Sequence, residues 1–468
     1  MLHAPNPTLA ICNGVVINES WSAPTTVIIA GSQIVRLQDP SEPLPADVNQ
    51  VIDADGKLLL PGAVDPHCHV KSVAGAYSTL DGFAEAGEAA LWGGTTTLVD
   101  FAIPEPGERP VDAARRKIDM AADSPCDVAL HGCVTGWWDD IPQQLEEMRS
   151  MGISTIKLFT TYRDTLMASP ATQRVVLTAL KNFGGLAYIH AESNSLIEAV
   201  HGRLPGAGGF SACNHPHTRP EITEAAAVDE ILGLVELLDA PAYFVHQTTP
   251  EAVDAVVRAR RRGLHVFSET CPHYLLLDES KYAGDHPERF VCCPPLRSRA
   301  TANQLRRRVL SGSVHTIGSD HNCFSSQQKI ASSNDVRHMP NGLPGVELRL
   351  PVLYSDLVAT GSMAAETLIR MVSANPARLN GLYPRKGALV PGADADVVIF
   401  DPSAASAVSA ADLHMPTDYS PYEGLHVKGW PTTVVQGGRV VIDGDGFHAR
   451  PDSGSYIPTG DIDYTSVR

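Results

Sequence analysis

The strongest constraint on this chain is a series of eight short apolar runs, most of them separated by amphipathic segments. The runs lie at 63–69, 95–102, 127–134, 153–159, 185–190, 242–246, 263–268 and 314–319. Between most of them, segments at 111–122, 141–151, 173–183, 221–238 and 250–262 carry helical spacing of apolar residues. Eight strands alternating with helices, over this length, predict a (β/α)8 TIM barrel at 61–385. Residues 1–60 read instead as strands and turns: LAICNGVVI, TTVIIAGSQIVRL and VIDADGKLLL. The same texture returns in DADVVIF at 394–400 and PTTVVQGGRVVIDGDG at 431–446. A small β-sandwich is therefore expected beside the barrel, assembled from 1–60 and 386–448. The remaining tail, 449–468, is a candidate contact to a neighbouring chain. After the eighth run, the loop 320–345 is long for a compact domain and is expected to be functional. Final helices are expected at 346–360 and 363–380.

Polar residues mark the ends of these runs. The first finishes in PGAVDPHCHV, where alternation along a strand points His67 and His69 the same way, as closure on one metal ion requires. The fourth carries Lys157, the fifth ends at His190, the sixth at His246, and Asp320 follows the eighth. Barrel enzymes draw their catalytic groups from the C-terminal ends of several strands, so the six are expected to converge. A lysine inside an apolar strand is costly unless its charge is removed or paired. Neutral Lys157 can combine with carbon dioxide to give a carbamate whose two oxygens could bridge two cations. A buried lysine paired with Asp320 is the alternative.

A net charge of −17 argues against a general nucleic-acid surface and against binding anionic membranes. The nine cysteines lack a framework spacing and no CxxC occurs, so free thiols in a reducing cytoplasm are expected. The start, MLHAPNPTLA, has no charged region followed by an apolar core, and no apolar run has the length to span a bilayer.

The segments PGAVDPHCH, GGTTTLVDFAIPEPG, IKLFTTY, IHAES, ETCPHYLLL, CCPPLR, GSDH and MPNGLPGVELR resemble the amidohydrolase superfamily over nearly the whole chain. Within it they look like the dihydropyrimidinase/hydantoinase cyclic amidases. The resemblance implies two divalent cations, usually zinc. His67, His69, carboxylated Lys157 and Asp320 would hold one, and Lys157, His190 and His246 the other. It further implies a metal-bridging hydroxide that opens a cyclic amide or imide, with Asp320 taking the proton and returning it to the leaving nitrogen. Tyr162 matches a phenol that stabilises the oxyanion. Asn341 and the main chain at Cys293, where most relatives have Ser, match positions that grip the ring. Relatives assemble as homotetramers or homodimers. His273 and His321 are expected to orient neighbours, Glu192 to fix its local loop, and Cys68 to face away from the ligands. His215 and His217 are expected to be solvated. Substrate side-chain specificity is expected from loops at 70–79, 103–110 and 160–168.

Two alternatives remain. Dihydroorotases carry an Arg where this chain has Lys71, which argues against that group but leaves an allantoinase- or dihydroorotase-like reaction on an anionic or ureido substrate open. A catalytically silent scaffold of the same fold is disfavoured by the intact ligand positions.

Overall fold

The computed structural model describes residues 9–467. Residues 1–8, which open the segment read as lacking a secretory signal, and Arg468 lie outside the described residues. Eight parallel strands form the barrel: Ala63–His69, Thr95–Ala102, Asp127–Cys133, Thr155–Phe159, Leu186–His190, Ala242–Phe244, Val266–Thr270 and Thr316–Ile317. The eighth breaks after Ile317 and resumes at His321–Asn322, which pairs with Cys68 and His69 of the first and closes the ring. Seven of the eight strands are buried along their whole length, and only His69 at the end of the first is partly open, as sheets covered on both faces require.

Local chemistry sets the helices between them. In Pro170–Phe183, Ser169 Oγ accepts from Thr172 N at 3.1 Å, Pro170 occupies the first turn, and Gly184 ends the helix at φ 73°. Its buried face, Thr172, Gln173, Val176, Leu177 and Leu180, recurs at helical spacing against the sheet. The two helices expected at 346–380 are interrupted. Arg349–Leu353 runs into a π-turn at Tyr354–Val358, and a second π-turn, Arg370–Ala374, separates Ala365–Ile369 from Asn375–Leu379. The loop 320–345 holds a short helix, Ser326–Ile330, capped by Ser325.

Both chain ends share a nine-stranded sheet. Leu58–Pro61 is its seam, parallel to Leu9–Ile17 on one side and antiparallel to Val397–Ala407 on the other. Leu9, Ile11, Val27, Ile29, Leu59, Val397, Ile399 and Val435 close into one core, giving the small β-sandwich. The tail lies on its own barrel rather than projecting from it. Val128 donates its N–H to Ser455 O and accepts from Ile457 N. Ile457 then packs on Val64, Val99 and Ala129, and Val467 joins Phe101, Tyr188 and Tyr243.

Candidate metal centre and ring site

The strand ends bring together all six residues read as ligands. His67, Lys157, His190, His246 and Asp320 are at most 5% exposed, and His69 is only slightly more open. The rings of His67 and His69 lie 5.3 Å apart, His67 and His246 5.3 Å, and His190 and His246 4.6 Å. Asp320 Oδ1 is 3.2 Å from His67 Nε2 and 3.3 Å from His69 Nε2. Backbone geometry is unusual here, since Tyr162, His246 and Asp320 all have positive φ, at 68°, 40° and 48°. Such conformations cost about 1–3 kcal/mol each and persist where the surroundings impose them. For Asp320 the turn explains why strand eight breaks before it, where an unbroken run was expected.

One carboxylate that the sequence reading passed over organises the cluster. Glu269, on strand seven, is fully buried and accepts from His67 Nδ1 at 2.7 Å, Tyr243 Oη at 2.7 Å and His246 N at 3.0 Å. Gly318 leaves room for this pairing, since a Cβ there would stand 2.9 Å from both Glu269 Oε2 and His67 Cβ. His67 Nδ1–H donates to Glu269, and its Nε2 faces Asp320 Oδ1 at 3.2 Å. That nitrogen is buried. Burial favours the neutral ring, but Glu269 and Asp320 outweigh it and raise His67 to about 9, so the arrangement draws positive charge to this point. His246 Nδ1 is likewise buried without a partner. His190 gives Nε2 to Glu192 at 2.7 Å, which leaves its Nδ1 lone pair over. Nitrogen and carboxylate donors in this arrangement fit divalent cations such as zinc.

Lys157 sits 4.8 Å above the Phe101 ring and 5.0 Å from that of Phe159, and among the described residues it forms no ion pair. The alternative of a lysine paired with Asp320 is therefore not what the geometry displays. Burial, only partly opposed by the charges of Asp320 and Glu269, lowers its amine to about 8, so an appreciable neutral fraction exists near that pH.

The residues matched to ring binding adjoin this cluster. The Tyr162 ring lies 5.4 Å from that of His190, and burial together with the neighbouring Cys293 raises the phenol well above its ordinary range, keeping its proton available. Asn341 is half-buried with Oδ1 unpartnered, and Cys293 is buried. Lys329, also passed over, donates to Val291 O at 2.8 Å and Gly342 O at 2.7 Å, joining the two segments that carry Cys293 and Asn341.

His215 departs from expectation. It is buried rather than solvated, because its Nε2 bonds the Cys292 carbonyl at 2.7 Å. Glu192 pairs with both His190 and Arg219 at 2.7 Å, and Cys68 Sγ points to Val99 O. Asp81, His321 and Cys323 form a second group of possible ligands. His321 Nδ1 accepts from Gly345 N and Nε2 donates to Asp81, so the ring has no lone pair left for a cation. Lys71 is exposed.

A parallel barrel with imidazoles, a carboxylate and an amine meeting at its strand ends is the framework of a metal-binding hydrolase. The chain belongs to the amidohydrolase family, whose sequence model matches residues 58–441, and within it to the hydantoinases and dihydropyrimidinases. It is 32% identical to a D-hydantoinase of Rhizobium radiobacter over 96% of this chain and 98% of that one. It is 31% identical to the dihydropyrimidinase of Rattus norvegicus, over 97% and 89%. A crystal structure of dihydropyrimidinase from Brevibacillus agri superposes with a TM-score of 0.94 at 32% identity, covering 97% of this chain and 99% of that one.

Proposed function

We propose that this protein is a cyclic amidase that opens a dihydropyrimidine or a substituted hydantoin to its N-carbamoyl acid. The observation that carries the reading is the convergence of four imidazoles, the Asp320 carboxylate and the Lys157 amine at the strand ends, with His67 Nε2 and His69 Nε2 at 3.2 and 3.3 Å from Asp320 Oδ1. His67, His69, Lys157 as its carbamate and Asp320 would hold one divalent cation, and Lys157, His190 and His246 a second. Bound zinc ions would supply a water acidic enough to attack at neutral pH and would polarise the ring carbonyl.

The remaining work falls to the chain itself. Asp320, kept ionised by the imidazoles around it despite its burial, accepts a proton from the attacking water and returns it to the departing ring nitrogen. Tyr162 donates to the oxygen on which charge builds as the carbonyl carbon becomes tetrahedral. Backbone groups at Cys293 and Asn341 hold the ring in register. Nine free cysteines support residence in a reducing cytoplasm, and relatives of this family suggest a homodimer or homotetramer, to be read by sedimentation.

The test is to load the protein with zinc and bicarbonate, then measure metal content and ring opening of dihydrouracil and hydantoins. Wild type should carry about two metal ions per chain and open a ring, as two-metal sites do. Lys157→Ala should lose both properties. Metal-free wild type that opens no ring would instead support the scaffold reading.

A further inference from the structure

A cavity of about 250 Å³ opens beside the ring site, and none of the six proposed metal ligands lines it. Its walls include Tyr162 and Asn341, both assigned above to the ring, and His215, whose Nε2 lies 4.0 Å from Cys293 Sγ. A ring gripped by these groups therefore presents its substituent to this space. At about 30 Å³ per water molecule, the space holds roughly eight waters, or a side chain of several heavy atoms and a few waters. Of the three loops expected to set specificity, only 160–168 contributes to the lining.

The lining carries guanidinium and amide donors. Arg219 is half-buried with its guanidinium 4.9 Å from the Tyr162 ring, and among the described residues the one hydrogen bond of that guanidinium runs from Nη1 to Glu192. The rest of its guanidinium has no acceptor among the described residues. Asn194 is 7% exposed, and its Nδ2 is buried without a partner. Arg337 stands over the Phe210 ring at 3.7 Å, braced by Asp335. The carboxylates that balance Arg219 and Arg337 lie outside the lining, so the cavity meets guanidinium groups. Glu198 does line it but is held by Arg163 at 2.5 and 2.9 Å. A buried amide donor without an acceptor favours a ligand that supplies one, and a planar carboxylate matches the neighbouring guanidinium groups best.

We propose that this cavity receives an acidic side chain carried by the ring, so that the enzyme prefers a carboxylate-bearing cyclic amide to its neutral counterpart. The proposal rests on the ring-opening reading above and adds to it the class of substituent. It does not use Lys71.

The experiment compares zinc-loaded holoenzyme on a hydantoin with a carboxyethyl side chain, on its carboxamide analogue, and on unsubstituted hydantoin. Wild type should favour the acid over the amide by about tenfold or more in kcat/KM, the size expected of charge-assisted hydrogen bonds. Arg337→Gln, at the accessible edge of the cavity, and Asn194→Ala should each shrink that ratio severalfold. Equal rates for acid and amide, or a ratio that both variants leave in place, would overturn the pocket while ring opening stands. No turnover of any of the three compounds would overturn the ring-opening reading and the pocket with it.

Discussion

His67 has committed one ring nitrogen to Glu269, and that decides what the other can do. The carboxylate fixes the tautomer, orients the ring and makes Nε2 a better donor to a cation. Glu269→Gln preserves shape and can still accept from Nδ1, but it removes the charge. Its metal affinity should fall by about 10- to 100-fold in a chelator competition, with the melting curve of the metal-free protein little changed. Asp320→Asn should retain the fold and lose about 10²–10⁴ in kcat, the range for a positioned general acid–base. Wild-type turnover in that variant would remove Asp320 from the proton transfer. The six converging residues were legible in the sequence because each stands at or beside the end of an apolar run. Glu269 occupies the same kind of position yet was missed, since its partners, His67 and Tyr243, come from other strands. His215 was misread for a similar reason, because the carbonyl that buries it belongs to Cys292, 77 residues away.

Among the elements, the short helix Ser326–Ile330 has an effect larger than its five residues suggest. From it, Lys329 reaches the carbonyls of Val291 and Gly342 and sets the spacing between the two ring-gripping segments. Burial lowers its amine to about 7, but the charged and the neutral amine alike can donate two hydrogen bonds. Lys329→Met should therefore raise KM for the cyclic amide about tenfold and change kcat less, a split that general loosening of the protein would not produce. Barrel strands were readable because burial on both faces demands continuous apolar runs. The broken course of strand eight was not, as it follows from the left-handed backbone of Asp320, which no local spacing announces. The helices expected at 346–380 form but are interrupted by two π-turns, the first of which carries Tyr354 in contact with Phe400 of the sheet.

For the molecule as a whole, the last residues act as part of the barrel. Ile457 is 1% exposed and fills the space below Val64, Val99 and Ala129, so Ile457→Ala should cost about 2–5 kcal/mol in thermal or denaturant unfolding. A change within experimental error would mean that the tail detaches in solution. The seam at Leu58–Pro61 has a further consequence for how the protein is made. One of its edges is satisfied by the first strand described, but its other partner begins at Val397. On a ribosome, that open edge must wait through more than 300 further codons, until the strand that opens at Val397 has emerged. A nascent chain stalled before Val397 would expose a sticky β-edge of the kind that chaperones hold.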